Sequence, residues 1–361
     1  MEFLGRESSG VVSIACSLGS STSFATLSRL GTLTLWDLRL PRKNYLSFQN
    51  PNRVAAREAS ELRYLHHRHA AVALCGNTVQ LFDTRKCMSC VAEFTHDKEC
   101  VAFLRDEPPT DSITTLIVDE DGGIFSYDIM NGSRPSYMEA YVFGRSERSP
   151  LPEGGRFGHL SNYCSGLHCI DLAPDEASAA MRLLFAVGMD GEGALYNRSD
   201  DTDSARLAFS ISQESPSCGG TQMVNPPLVN CTTVCGAQVA VGRANGMYSV
   251  YDVERCGLNE AMASPGHAMN GLCYVDWVTP RVLLTTSLCG DVTGWAVGAF
   301  LEASAGEDEE DVEGPEVVAA LAHREVPECR LATVNCADCL GGMRYIFGDH
   351  IGGVTLAQID I

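Results

Sequence analysis

The sequence predicts an all-β chain, a β-propeller of seven blades, and three observations carry that prediction. A phrase of the form glycine–x–apolar–x–x–aromatic–aspartate returns along the 361 residues, its copies are spaced at the length of a four-stranded unit, and a second apolar run precedes each copy. The phrase occupies Gly31 to Asp37, Asn77 to Asp83, Gly122 to Asp128, Gly191 to Asn197, Gly246 to Asp252, Gly290 to Ala296 and Gly352 to Gln358. Its first residue suits a tight hairpin turn, which needs a positive φ. Alternating apolar and polar positions then lead into an aromatic residue and an acid, the pattern of a half-buried strand.

From one turn residue to the next the spacings are 46, 45, 69, 55, 44 and 62 residues. The shortest three lie close to the roughly 40 to 45 residues of a blade of four antiparallel strands, so the longer three contain insertions. Strands entering the hairpins are predicted at 24–27, 71–75, 113–118, 183–187, 238–241, 282–286 and 345–347, with innermost strands in runs such as 11–15 and 271–275. The last phrase leaves its blade without an outer strand. Residues 1–5 are predicted to supply it, closing the ring and covering a sheet edge that would invite aggregation. The chain 1–361 is thus read as a single domain with loops inserted at 144–158, 213–227 and 302–316. The acidic run 306–316 cannot offset its ordering entropy by burial and is expected to be disordered.

Charge narrows the partners. With 46 acids against 26 bases the net charge is −20, whereas nucleic-acid binding leaves a basic footprint. No nucleic acid is expected; a basic protein segment is the electrostatically natural partner, unless the charge serves only solubility. No run approaches a membrane span and no leader pattern opens the chain, so an intracellular location, cytoplasmic or nuclear, is expected. The 16 cysteines fall largely in predicted strands, as at Cys16, Cys75, Cys169, Cys273 and Cys336, and are read as free thiols in a reducing compartment.

Catalytic patterns are missing: there is no nucleophile elbow, phosphate loop or zinc-protease helix. No catalytic residue, metal or cofactor is assigned. His66, His67 and His69 flank Arg68, and alternate residues of a strand face opposite ways, so they are read as rim histidines. Cys87 with Cys90 and Cys336 with Cys339 have zinc-like spacing, but the second pair falls on a predicted inner strand instead of a turn.

Trp36-Asp37, an aromatic–aspartate pair in three further copies, and Gly158-His159 and Gly266-His267 resemble WD40 repeats. The resemblance implies a non-catalytic scaffold for protein–protein interaction. It also implies a buried network of His, Ser or Thr, turn Asp and Trp. The sixth copy keeps His267, Ser287 and Trp295 with Cys289 at the turn, and the fourth keeps His159 and Asp190 with Tyr196. These networks are eroded, leaving apolar packing to hold most blades.

Two consecutive copies continue into an arginine, Trp36-Asp37-Leu38-Arg39 and Phe82-Asp83-Thr84-Arg85. In WD40 substrate receptors of cullin-4 RING ubiquitin ligases such a motif docks on the ligase's β-propeller adaptor, so the resemblance implies Trp36, Asp37, Arg39, Asp83 and Arg85 as partner-binding residues. An arginine two residues after a strand-ending Asp equally suits a rim ion pair of little energetic weight. On the opposite face, Ser161, Asn162 and Tyr163 and the Asn225-Pro226 lead are candidate client contacts, exposed on loops. The rival functional reading is a structural WD40 subunit of a chromatin-associated or cytoskeletal assembly without ubiquitin function. In either case a monomeric propeller within a complex is expected.

Overall fold

The computed structural model describes residues 1–16, 22–40, 46–49, 59–65, 70–85, 89–103, 114–119, 123–128, 136–142, 164–172, 181–189, 192–197, 207–210, 228–252, 271–297, 316–322, 326–329 and 332–360. After β1 (Glu2–Arg6), sheet one contains β2 (Val11–Cys16), β3 (Ser23–Ser28), β4 (Thr32–Asp37) and β5 (Leu46–Gln49). Sheet two contains β6 (Ala59–Leu65), β7 (Ala70–Cys75), β8 (Thr78–Asp83) and β9 (Ser89–Thr95). Sheet three contains β10 (Cys100–Phe103), β11 (Thr114–Asp119), β12 (Gly123–Asp128) and β13 (Ser136–Val142). Sheet four contains β14 (Cys164–Leu172), β15 (Met181–Gly188), β16 (Glu192–Asn197) and β17 (Leu207–Ser210). Sheet five has β18 (Val229–Cys235), β19 (Gln238–Arg243) and β20 (Tyr248–Asp252) among the described residues. Sheet six contains β21 (Leu272–Thr279), β22 (Val282–Ser287), β23 (Asp291–Ala296) and β24 (Glu316–Ala322). In sheet seven, β25 (Val334–Gly341), β26 (Arg344–Asp349) and β27 (Gly353–Gln358) are joined by β1, which pairs antiparallel with β27. The described residues include no α-helix, only a short 3-10 turn at Pro327–Cys329.

The sheets repeat in detail. Each first strand shifts register against its second strand near its start, between Val11 and Ser13, Ala59 and Glu61, Cys100 and Ala102, Cys164 and Gly166, Val229 and Cys231, Leu272 and Tyr274, and Val334 and Cys336. A bulge recurring at one position sharpens the local twist of every sheet in the same way. Gly31, Gly246, Gly290 and Gly352 take the positive φ that the second hairpin turn needs. In sheet two the expectation fails at Asn77: the positive φ belongs to the preceding Gly76, at 58°, because glycine meets no Cβ penalty there.

The third strands are more deeply buried than alternation predicts, and β8 is buried along its whole length. The cause is packing on both sheet faces. Ala71, Ala73 and Phe82 join Ala15, Ala25, Leu27 and Leu33 of sheet one, while Ala70, Val72, Leu74, Val79 and Leu81 join Cys100, Phe103 and Ile117 of sheet three. Similar clusters link sheets five and six around Tyr248 and Trp295, six and seven around Leu284 and Tyr345, and seven and one around Ile346 and Trp36. The aromatic residue ending a phrase faces the preceding sheet: Trp36 meets sheet seven, Phe82 sheet one and Trp295 sheet five.

Polar positions on these doubly covered strands must find partners. The Trp36 indole donates to Thr26 Oγ1 at 2.9 Å, and Thr26 donates to Glu7. Burial raises the Glu7 carboxyl above its usual pKa, against the lowering effect of the hydrogen bond from Thr26. In sheet six the Trp295 indole donates to Thr285 Oγ1 at 2.8 Å. This corrects the expected partner Ser287, whose hydroxyl instead accepts the Asp291 N–H across the turn. The geometry is common to both sheets: the tryptophan lies opposite Phe24 or Leu283 in the ladder and reaches the residue two further along. His159 and His267 lie outside the described residues.

First strands touch in succession: β2 meets β6, β6 meets β10, β10 meets β14, β14 meets β18, β18 meets β21, β21 meets β25, and β25 meets β2. Side chains stitch the contacts. Ser13 accepts the Leu62 N–H, Glu61 the Phe103 N–H and Asp338 the Cys16 N–H, at 3.0, 2.8 and 2.6 Å.

Candidate partner-binding surface

Arg39 and Arg85 occupy equivalent places on neighbouring sheets, two residues beyond the ends of β4 and β8. Each aspartate ends its strand in a tight turn and accepts the backbone N–H of the arginine two residues on, at 3.0 Å for Asp37 and 2.9 Å for Asp83. That turn folds the guanidinium back onto the carboxylate. Arg39 donates Nε to Oδ1 at 2.9 Å and Nη2 to Oδ2 at 2.6 Å. Arg85 makes the same fork more loosely, at 3.2 and 3.3 Å. Side-chain exposure is 72% for Arg39 and 64% for Arg85, against 22% for Asp37 and 12% for Asp83.

The hydrogen bonds from Arg39, with its charge, hold the Asp37 carboxyl below the usual carboxylate range. Both guanidinium pKa values are raised by the paired aspartates. Each motif is therefore an ion pair with an aspartate root and an exposed guanidinium tip. Leu40, 44% exposed, adds an apolar contact beside Arg39. Trp36 is a different case. Only 4% exposed and stacked on Phe24 with ring centroids 5.6 Å apart, it supports the strand from inside and offers no contact surface.

A second polar group, which the sequence reading did not single out, lies on the first strands. Counted from the repeated bulge, Asp276 of β21 and Asp338 of β25 hold equivalent positions. Asp338 accepts the N–H of Cys16 on β2 and of its neighbour Cys339, at 2.6 and 2.9 Å. Asp276 accepts the Thr233 hydroxyl at 3.4 Å. Desolvation, then the charge of Asp338, raises the Asp276 carboxyl to about 7, against hydrogen bonds from the Trp277 backbone, Tyr274 and Tyr345. The two tyrosine rings meet edge to face with centroids 6.4 Å apart. An acid inside an apolar run at matching offsets, as in Leu272-Cys-Tyr-Val-Asp276 and Val334-Asn-Cys-Ala-Asp338, was the available sequence signal.

Ser161, Asn162, Tyr163, Asn225 and Pro226 lie outside the described residues, as do His66, His67, His69, Cys87 and the inserted loops except Glu316. Cys336 and Cys339 are both on β25, and burial first of all raises both thiols above their usual pKa, which disfavours the thiolate that a metal requires. Among the described residues no group of three metal-ligating side chains gathers, and no helix is long and apolar enough to cross a membrane. Cysteines with described side chains, among them Cys16, Cys75, Cys273 and Cys336, are free thiols.

Comparison of the chain with protein-family models gave no match, and comparison with curated proteins gave none either.

Proposed function

We propose that the chain is a seven-bladed WD40 propeller and acts as a non-catalytic scaffold, a substrate receptor of a cullin-4 RING ubiquitin ligase. The observation that carries this reading is the pair of equivalent Asp–Arg forks on adjacent sheets, with both guanidinium groups exposed. Support for the propeller comes from sheets that repeat one bulge and one hairpin turn, and from first strands whose contacts lead from β2 through each sheet in turn to β25 and back to β2. Pairing of β1 with β27 supports a ring closed by its first strand.

The His159-Leu-Ser-Asn-Tyr-Cys-Ser phrase, the Val224-Asn-Pro-Pro-Leu lead and the Cys273 to Trp295 segment resemble WD repeat-containing protein 53, and that likeness favours the receptor reading. In this reading Arg39 and Arg85 meet the ligase's adaptor, and a client binds the opposite face.

Affinity purification of the wild-type chain and an Arg39→Ala/Arg85→Ala double variant tests the proposal. Adaptor and cullin peptides are expected with the wild type and not with the variant, while the variant unfolds at nearly the same temperature. Retention of the adaptor by the folded double variant rejects the docking role. A fixed set of subunits unrelated to ubiquitin transfer identifies a structural assembly instead.

A further inference from the structure

We infer that the rim formed by the two Asp–Arg forks docks a polypeptide through uncharged backbone carbonyl oxygens, and that Asp37 and Asp83 are positioning residues that make the surface selective against acidic groups. The inference rests on the docking reading and specifies the chemistry of the partner.

A guanidinium has five N–H donors in a fixed plane. In each fork Nε–H and one Nη2–H are given to the aspartate. Among the described residues nothing accepts from Nη1 of Arg39 or Arg85, so three donors of each guanidinium remain for a partner. The aspartate is in turn held by the backbone N–H of its arginine, so an incoming anion must compete with a carboxylate already seated on three donors. Each fork is formally neutral, and the whole chain carries −20. A carboxylate approaching this rim meets long-range repulsion and no uncompensated positive charge. A carbonyl oxygen meets neither obstacle and accepts two N–H groups readily. Unpaired carbonyls of this kind are exposed at the C-terminal ends of helices and on open loops, and Leu40 supplies an apolar contact beside the first fork.

The two chemistries predict opposite signs when the aspartates lose their charge. For carbonyl acceptors, Asp37→Asn with Asp83→Asn frees the guanidinium groups to move and weakens binding, by roughly tenfold. For acidic acceptors the same change unmasks two positive charges and strengthens it. Calorimetric titration of purified adaptor into wild type and the double Asn variant, at low and high sodium chloride, reads the sign directly. The expected result is weaker binding by the variant and a wild-type affinity that falls less than about threefold as salt rises. Tighter binding by the variant, or a steep salt dependence of the wild type, overturns the inference.

A peptide of six glutamates serves as a second probe whether or not the adaptor binds. Peptide binding by the wild type that needs Arg39 and Arg85 overturns the inference. No binding by the wild type but measurable binding by the Asn variant supports it. Absence of adaptor binding by the wild type counts against the ligase reading alone, since the peptide then decides the chemistry of the rim.

Discussion

Asp37 and Asp276 place the same side chain in opposite settings. Asp37, at the end of a third strand, meets a guanidinium and is held below the usual carboxylate range. Asp276, on a first strand, is desolvated among other first strands, meets the charge of Asp338 and is raised to about 7. The contrast separates two uses of charge in one repeated fold. At the ends of β4 and β8 the acid is neutralised by its own arginine, and the guanidinium stays exposed. Along the first strands Glu61, Asp276 and Asp338 tie neighbouring sheets together, and the protonation of Asp276 becomes part of the folding equilibrium.

The largest effect should come from the first-strand side of that comparison. Replacing Asp338 by Leu leaves the N–H groups of Cys16 and Cys339 without their acceptor. At about 1–3 kcal/mol for each stranded donor, urea denaturation should report a loss of about 3 kcal/mol. A loss below about 1 kcal/mol would mean that neither donor depends on the carboxylate.

An intermediate effect is expected from pH. Because the folded pKa of Asp276 is raised, the fold favours its protonated form. The contribution is fully present below the unfolded carboxyl value of about 4 and is lost as pH rises through about 7. The groups facing it are Asp338, Tyr274, Tyr345, Thr233 and the Trp277 backbone. The melting temperature of the wild type should therefore fall between pH 5 and pH 8 relative to that of Asp276→Asn. Parallel curves for the two proteins would remove Asp276 from the account.

At the rim the effect on stability should be smallest. Exposed ion pairs contribute little to stability, so Arg39→Ala with Arg85→Ala should leave the urea midpoint of unfolding nearly unchanged. A lower midpoint would turn the forks into structural elements and blur the distinction from the first strands.

Much of the strand pattern was legible because it rests on local signals. Period-two runs marked the second strands, and glycine marked the turns. The misses have physical causes. Asn77 tolerates positive φ, but its neighbour Gly76 does so without penalty, and the sequence holds both. Thr285 and Ser287 share a face of β22, so only the diagonal reach of the indole distinguishes them. The partnership of Glu7 with Thr26 joins residues 19 apart, one between β1 and β2 and the other on β3, and nothing local marks it. At the rim, Asp37-x-Arg39 and Asp83-x-Arg85 were visible because a turn of two residues suffices to close the fork. The Asp276 and Asp338 positions required the seven bulges as a common ruler.

The two-sided packing of β7 has a consequence for strand slippage. Ala71 and Ala73 serve one core while Ala70, Val72 and Leu74 serve the other, so shifting the strand by one residue would exchange one apolar set for another. Hydrophobicity, which fixes pairing where one face is wet, carries little such information here. The information resides in the turn: Gly76 supplies the positive φ, its carbonyl accepts the Cys100 N–H, and the Asn77 carbonyl accepts the His96 N–H. A displaced hairpin would force a side-chain-bearing residue into that φ and break both bonds. A glycine outside either core thus keeps both cores in alignment.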